Sequence, residues 1–357
     1  MLRRLSTLVF LLVIMYACVP SSTPTNIPSP LSAPTGIPSP TKKRETTLVE
    51  RFSEWASAPF TGVASPRFVV AEIKDDGTRG LFIDETETKA YIIGEFSGQL
   101  HWVDIDSTSS TFGKTTLLAD KLFILNDIAV NRAGSWAYVT RESGPGPNPV
   151  GQNVITRVDL ATGQELTVTT QIGQPSNISL SQDETTGYVV DLHSGEAGQG
   201  GLYRVDLGTG AITPIITGLD RPFAEAVNRA ETIAYVVTEP ARAGEYPAGN
   251  LLRIEIPNRK VTTLATGIIY GATGITLSAD ETLAIVTEFG HEIGCDGKVS
   301  VININPISTK FGQKTELVTD LCGAHDVRLN KAETLAYFVE VGSSKLSAIQ
   351  VNLGTLR

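Results

Sequence analysis

The stretch Val227–Glu239, with the sequence VNRAETIAYVVTE, holds the end of one strand pattern, an acidic turn and a second strand pattern rich in β-branched and aromatic residues. Close copies recur along most of the chain. Aligned on the bulky residue in the middle of the second strand, the copies fall at Tyr91, Tyr138, Tyr188, Tyr235, Ile285 and Tyr337. Successive copies are 47, 50, 47, 50 and 52 residues apart, and a period of this size is typical of propellers, solenoids and repeat arrays.

Each repeat contains four runs of strand-forming residues. The first is short, as in Ile178–Ser181, and the second is the motif strand. The third has the pattern of Leu202–Leu207, and the fourth follows a Gly or Asn turn, as in Thr213–Ile216. Such runs, separated by Gly, Asn and Asp, indicate strands and turns, and no sustained 3.6-residue apolar period is present. The sequence therefore predicts an all-β fold, a six-bladed β-propeller with four antiparallel strands per blade.

The last repeat is one strand short. Asp326–Asn330, Leu335–Val341 and Lys345–Val351 supply three strands before the sequence ends at Arg357. The run Arg67–Lys74 precedes the first repeat and has no repeat of its own. Because an open ring would leave two unpaired sheet edges, we predict that this N-terminal strand, at about residues 67–74, completes the last blade.

Residues 1–18 have the pattern of a signal peptide. Arg3 and Arg4 precede the apolar run Leu8–Met15, which is short for a membrane span. The ending Met15-Tyr-Ala-Cys18 resembles a bacterial lipoprotein signal. Lipidation of Cys18 would anchor the exported protein to the membrane of the cell envelope. The alternative is an ordinary cleaved signal and a secreted product.

The rest of the chain divides into a tether, a lead-in and a head. In residues 19–41, 16 of 23 residues are Pro, Ser or Thr, so we predict a disordered tether over residues 19–47. Residues 48–65 form a lead-in with a short helix at 48–58, and residues 66–357 form the propeller. The net charge is −9, and without a basic stripe this argues against a nucleic-acid partner. We expect a monomer that binds a small molecule or a protein.

Long loops concentrate on one face of the predicted propeller. The second-to-third connections are long in four blades, at Glu142–Asn153, Asp191–Gly201, Glu239–Asn250 and Phe289–Gly297. They leave from the same face as the blade-to-blade joins, and loops on a rigid scaffold often carry binding residues. Cys295 and Cys322 also fall on this face. We predict a disulfide between them, as is common in exported proteins; the alternatives are free thiols or a metal-binding pair.

Polar residues at strand ends are the candidates for a ligand-binding face. They are Glu95, Asp127, Asn177, Asp191, His193, Glu225, Glu288, His291, His325 and Asp326. Imidazole with carboxylate suits Zn²⁺, and amide with carboxylate oxygens suits Ca²⁺. A divalent metal at the channel mouth would draw its ligands from Asn177, Glu288, His325 and Asp326. The alternative is that such residues satisfy backbone groups and face water.

The repeated pattern A-E/D-T-x-A-Y-V-V, followed by L-x-R-I/V-D/E and a Thr-Gly turn, resembles the six-bladed propellers of the NHL, SMP-30/gluconolactonase and YVTN-repeat kind. The resemblance covers about residues 66–353 and implies a fold, not one function. In the SMP-30 lactonases, one Glu, two Asn and one Asp hold a divalent metal at the channel mouth. The resemblance implies that Asn177 and Asp326 could belong to such a set.

The sequence supports two functions. The first is an exported, lipid-anchored β-propeller that presents a ligand- or protein-binding face. It is favoured because no Gly-x-Ser-x-Gly, P-loop or His-Glu-x-x-His motif is present. The alternative is a metal-dependent hydrolase of the SMP-30/gluconolactonase type.

Overall fold

Each copy of the repeated motif forms the second strand of a four-stranded antiparallel sheet. The computed structural model describes residues 46–74, 77–122, 124–142, 153–192, 198–238, 249–268, 271–290 and 295–357. Within these residues, six sheets surround a central channel. The first strand of each blade, called its inner strand, contacts the inner strands of both neighbouring blades, and the sixth contacts the first. The predicted six-bladed propeller is confirmed.

The strands are numbered in chain order. The first blade contains β2 (Thr78–Ile83), β3 (Lys89–Gly94), β4 (Leu100–Asp104) and β5 (Thr115–Ala119). The second contains β6 (Leu125–Val130), β7 (Trp136–Arg141), β8 (Val154–Asp159) and β9 (Glu165–Thr169). The third contains β10 (Pro175–Leu180), β11 (Thr186–Asp191), β12 (Gly200–Asp206) and β13 (Ile212–Leu219). The fourth contains β14 (Pro222–Val227), β15 (Ile233–Thr238), β16 (Gly249–Glu255) and β17 (Lys260–Ile268). The fifth contains β18 (Ala272–Leu277), β19 (Leu283–Glu288), β20 (Gly297–Asn303) and β21 (Lys314–Leu321). The sixth contains β22 (Ala324–Leu329), β23 (Leu335–Glu340), β24 (Lys345–Gln350) and β1 (Phe68–Glu72).

The N-terminal strand closes the ring. β1 pairs antiparallel with β24, with Phe68 opposite Ala348 and Glu72 opposite Lys345. Val70 is fully buried in the core that this pairing creates. The outermost strand of the last blade therefore comes from the start of the propeller, as predicted, and the pairing removes the open edge that β24 would otherwise present.

The lead-in contains the predicted short helix, α1 (Leu48–Ser57). Thr47 and Glu50 form a capping box at its N-terminus. Phe52 is buried against Phe68 and Phe112, with ring centroids 5.3 and 4.6 Å apart. A 3₁₀ turn, Leu353–Thr355, follows the last blade. The helices within the described residues are too short or too polar to span a membrane.

The turn between the first and second strands is built by the motif itself. In the fourth blade, Asn228 Oδ1 accepts hydrogen bonds from the backbone N–H of Thr232 and Ile233, at 2.8 and 2.7 Å. The turn then places Glu231 in the left-handed region, with φ of 54°. A glutamate seldom adopts this conformation, so the repeated occurrence of Glu here calls for a compensating contact.

That contact joins neighbouring blades. Five blades have a left-handed Glu at this position, with φ between 53° and 58°: Glu87, Glu184, Glu231, Glu281 and Glu333. Each carboxylate accepts the backbone N–H of a turn residue in the preceding blade; the donors are, in the same order, Lys331, Arg132, Gln182, Arg229 and Ala279. Glu231 also accepts a hydrogen bond from the hydroxyl of Tyr188, the aromatic residue of the preceding motif, at 2.8 Å. The second blade has no such glutamate, because Gly134, with φ of 64°, occupies this position of its turn.

Cys295 and Cys322 form a disulfide, as predicted. It connects the loop after β19 to the join before β22. Structural disulfides are typical of proteins in oxidising, extracytoplasmic compartments. The signal peptide, the tether and lipidation at Cys18 concern residues outside the described part of the chain, and they stay predictions.

Candidate functional site

The central channel opens into a cavity at each end. The loop-face cavity, about 560 Å³, lies where the inner strands begin and the second-to-third loops leave the blades. The turn-face cavity, about 460 Å³, lies at the opposite end, among the turns between first and second strands. Both volumes are in the range of small-molecule sites, about 300–1,000 Å³.

Arg79, the second residue of β2, lies across the floor of the loop-face cavity. Its Nη1 donates to Glu95 Oε1 and to Asn126 Oδ1, each at 2.7 Å. Its Nε donates to His325 Nε2 at 2.8 Å. Among the described residues, Nη2 has no acceptor. The guanidinium is therefore fixed on one side by three blades and retains a free donor on the other.

His325 is held in one tautomer by this arginine. Because Nε2 accepts a hydrogen bond, the proton of the neutral ring lies on Nδ1. Burial, together with the nearby charge of Arg79, holds the pKa of His325 well below its usual value, so the ring is neutral at pH 7. Nδ1 is buried and has no hydrogen-bond partner among the described residues. An unsatisfied buried donor is costly unless something else accepts it.

Two carboxylates, Glu95 and Glu142, complete the floor. Glu142 Oε1 accepts from Asn126 Nδ2 at 3.2 Å and from Gln174 Nε2 at 2.9 Å. Burial raises the pKa of Glu95, the charge of Arg79 opposes that shift, and the charge of Glu142 adds to it. The floor is thus a linked network in which a guanidinium, a neutral imidazole, two amides and two carboxylates fix one another.

Aromatic rings form part of the wall above this floor. Phe223 and Phe289 lie edge-on to the ring of His325, with centroids 5.6 and 6.4 Å away. Arg79 Cζ is 5.7 Å from the centroid of Phe223. Phe96 also lines the cavity and is 66% exposed. An exposed ring beside a polar floor gives the cavity one apolar surface and one hydrogen-bonding surface.

Polar side chains at the third position of three inner strands form a layer that connects neighbouring blades. Asp127 accepts hydrogen bonds from Asn177 Nδ2 and from the backbone N–H of Ile178. Asn177 Oδ1 accepts the N–H of Glu225 at 3.0 Å. Asp326 Oδ2 accepts the N–H of Leu81 at 2.9 Å. Each of these three side chains, the third residue of its inner strand, therefore ties its blade to the next one.

The two aspartates of this layer influence each other. Burial raises the pKa of Asp127 well above its usual range, and the charge of Asp326 raises it further. Burial also raises the pKa of Asp326, to about 6, against the opposing charge of Arg328. Arg328 Nη1 donates to Asp326 Oδ1 at 2.5 Å. Like charges this close disfavour a state in which both are ionised.

The other predicted site residues lie elsewhere. Asp191 is buried and accepts the N–H groups of Gly173 and Gln174, at 2.9 and 2.7 Å, so it shapes the join before β10. Glu288 accepts from Ser300 Oγ and Lys314 Nζ, on the outer strands of the fifth blade. Glu225 lines the turn-face cavity. His193 and His291 lie outside the described residues.

The described residues do not offer an evident metal site at either mouth. Among them, no three His, Cys, Asp or Glu side chains converge as metal ligands would. Two arginines, Arg79 and Arg221, line the loop-face cavity, and Arg79 already occupies Nε2 of His325 and one oxygen of Glu95. A cation bound to these two atoms would have to displace the guanidinium.

Arg79, Asn126 and Phe223 are not among the residues predicted from the sequence, because that prediction rests on other polar residues at strand ends, such as Asp127, Asn177 and Asp326. The second residue of each inner strand would have been a better guide to the site. The second residues of the six inner strands are Arg79, Asn126, Ser176, Phe223, Thr273 and His325. Four of them line the loop-face cavity, namely Arg79, Phe223, Thr273 and His325, so this position would have pointed to the cavity.

No protein-family model and no curated protein sequence matches the chain. Several solved structures are similar to the chain in fold. The calcium-binding protein regucalcin from Agrobacterium tumefaciens is 14% identical, with a TM-score of 0.60, over 81% of this chain and 94% of that one. A gluconolactonase from Xanthomonas campestris is 12% identical, with a TM-score of 0.59, over 83% and 99%. Hydrazine synthase from Kuenenia stuttgartiensis is 13% identical, with a TM-score of 0.58, over 80% of each chain.

These similarities concern the fold. At 12 to 14% identity, and with members as different as a gluconolactonase and a hydrazine synthase, the neighbours share an architecture on which unrelated sites are built. The chain is therefore a six-bladed β-propeller whose structural neighbours include proteins of the gluconolactonase and regucalcin type.

Proposed function

We propose that this protein is an exported, lipid-anchored β-propeller that binds a small organic molecule in its loop-face cavity. One observation carries the proposal: Arg79 is fixed by Glu95, Asn126 and His325 but retains a free donor, Nη2, at the floor of a cavity of about 560 Å³. A guanidinium held in this way is preorganised, which lowers the entropic cost of binding.

The floor and wall define the chemistry of the ligand. Arg79 Nη2 suits a carboxylate oxygen, since charge-assisted hydrogen bonds to guanidinium are strong. The rings of Phe96, Phe223 and Phe289 suit an apolar or aromatic body. A small organic acid with an aromatic or aliphatic body satisfies both surfaces. The disulfide is consistent with the exported location, while lipid anchoring follows from the signal at Cys18.

Benzoate and its neutral analogue benzamide test this proposal by NMR titration of the intact protein. Benzoate should bind saturably, and Arg79→Gln should weaken it at least about tenfold, because a charge-assisted bond contributes about 1.5–3 kcal/mol. Arg229→Gln, which removes an arginine at the other mouth, is the matched control and should bind like the wild type. Equal binding by both variants, or no difference between benzoate and benzamide, would refute the role of Arg79.

The alternative function, a metal-dependent hydrolase of the SMP-30/gluconolactonase type, is supported by the similarity in fold to a gluconolactonase and by Asn177 and Asp326 in the channel. It requires metal to reorganise the layer in which these two residues bond to neighbouring blades. Metal analysis of the purified protein and lactone hydrolysis with and without chelator separate the two functions. Stoichiometric metal with chelator-sensitive turnover would favour the hydrolase.

A further inference from the structure

One inner strand breaks a pattern that the other five keep. At the fourth residue of the inner strand, five blades have an aliphatic side chain that is at most 3% exposed: Leu81, Ile128, Ile178, Ile275 and Val327. The fourth blade has Glu225 instead, and it is equally buried, at 3%. Burying a carboxyl group in an apolar layer is costly. Departures of this kind are expected at functional sites.

The carboxyl group of Glu225 is only half satisfied. Oε2 accepts a hydrogen bond from Ser179 Oγ at 3.1 Å. Oε1 is buried and has no partner among the described residues. The residue lines the turn-face cavity of about 460 Å³. A residue with a buried and unpartnered acceptor therefore lies in the wall of a cavity that is large enough for a small molecule.

The surrounding charges indicate what would fill that space. On the rim, Glu184 and Glu281 are engaged by the backbone of the preceding blades. Inside, Arg328 is paired with Asp326 at 2.5 Å and is the guanidinium whose charge opposes the raised pKa of Glu225. Over the whole lining, four glutamates, Glu85, Glu184, Glu225 and Glu281, stand against three arginines, Arg132, Arg229 and Arg328. Because Arg328 is already paired with Asp326, a positively charged ligand is favoured over an anion.

The walls of this cavity suit a short apolar stem. The fifth residues of four neighbouring inner strands that line it are small: Ala129, Ser179, Ala226 and Thr276. They leave room beside Glu225 that a bulkier side chain would close. A metal ion is a poor occupant, because no three ligating side chains converge among the described residues. An ammonium group needs separate acceptors instead, and Glu225 Oε1 and the remaining lone pairs of Ser179 Oγ supply them.

We propose that the turn-face cavity is a second binding site, distinct from the loop-face cavity, for a small organic cation. A primary ammonium group hydrogen-bonds to Oε1 of Glu225, and its short alkyl stem packs against Ala129 and Ala226. The site does not depend on the proposed function of the other mouth, because the two cavities have no lining residue in common.

The probe is n-butylammonium, with n-butanol as the neutral control and added NaCl to match ionic strength. Isothermal titration and thermal unfolding of the intact protein should show saturable binding of n-butylammonium and none of n-butanol. Glu225→Gln should weaken binding at least tenfold, since it removes the charged acceptor. Glu85→Gln removes an exposed rim carboxylate that pairs with Lys331, and it should change the affinity no more than about twofold, because an exposed pair contributes little.

Glu225→Ile keeps the test decisive if the glutamine variant folds poorly. It installs the residue type of the other blades, so the unliganded variant should unfold at a temperature equal to or above that of the wild type, and it should not bind n-butylammonium. Two results would overturn the proposal. One is equal binding by the wild type and Glu225→Ile. The other is a marked loss of stability in Glu225→Ile, which would make the carboxyl group a structural element.

Discussion

Replacing Glu231 by glycine isolates the contribution of the carboxylate that joins the third and fourth blades. Glycine adopts the left-handed φ of 54° without strain, so the turn itself should persist. What is lost is the hydrogen bond to the backbone N–H of Gln182, at 2.9 Å, and the one from the hydroxyl of Tyr188, at 2.8 Å. The variant therefore separates the contact between blades from the shape of the turn.

The magnitude follows from these two bonds. Hydrogen bonds to a charged acceptor contribute about 1.5–3 kcal/mol each, and the lower end applies because Glu231 is partly exposed. Two such bonds amount to about 3 kcal/mol, and relief of the left-handed conformation returns about 1 kcal/mol. We expect Glu231→Gly to lower the free energy of unfolding by about 2 kcal/mol, which is the loss of the two hydrogen bonds minus the relief of the strained conformation.

Two measurements check this value in the intact protein. Urea unfolding gives the change in free energy, with Glu54→Gln, a change in an exposed helix residue, as the control for losing one negative charge. Hydrogen exchange gives the local effect, because the amide of Gln182 loses its acceptor and should exchange faster. If Glu231→Gly were as stable as the wild type, with the Gln182 amide equally protected, the carboxylate would not hold the blades together.

Three further changes have defined outcomes. Gly134→Glu should raise the free energy of unfolding by about 1 kcal/mol. The new carboxylate could accept the hydroxyl of Tyr91 as Glu231 accepts that of Tyr188, a gain that exceeds the strain of a left-handed φ of 64°, and a Cβ there would meet nothing closer than that hydroxyl at 3.9 Å. A destabilised variant in urea unfolding would contradict this. Cys322→Ser should cost about 3.5 kcal/mol by loop entropy, since the bond to Cys295 spans 27 residues; unchanged unfolding under non-reducing conditions would be the opposing result. Burial raises the pKa of Glu225 from 4.5 to about 7, so the folded state binds a proton more tightly than the unfolded state. The stability that this raised pKa contributes is full below about pH 4.5 and falls as the pH rises through about 7. The difference in free energy of unfolding between the wild type and Glu225→Gln should therefore change with pH over this window, and a constant difference would refute the shift.

The fold was predictable because its determinants are local and repeated. The alternation of β-branched and aromatic residues around Tyr235, the turn before it and the period of the copies all indicate one unit laid down six times. Closure by Phe68–Glu72 followed from counting strands, since a sheet edge without a partner is unfavourable. The disulfide followed from placing two cysteines on one face.

The contacts between blades could not be predicted in the same way. Glu231 was visible in the motif, but its role depends on Gln182 and Tyr188, 49 and 43 residues away. The position of Arg79 depends on three blades, and its partner His325 is 246 residues distant in sequence. The packing of the blades decides which polar groups at strand ends meet. For this reason Glu288 bonds within its own blade, whereas His325 lies at the channel.

The most direct test of the central claim is a crystal structure of the protein grown with excess benzoate and Ca²⁺. The account predicts a benzoate carboxylate on Nη2 of Arg79, with the guanidinium still bonded to Glu95, Asn126 and His325. A calcium ion held by Asn177 and Asp326, with Arg79 turned away from the channel, would contradict it.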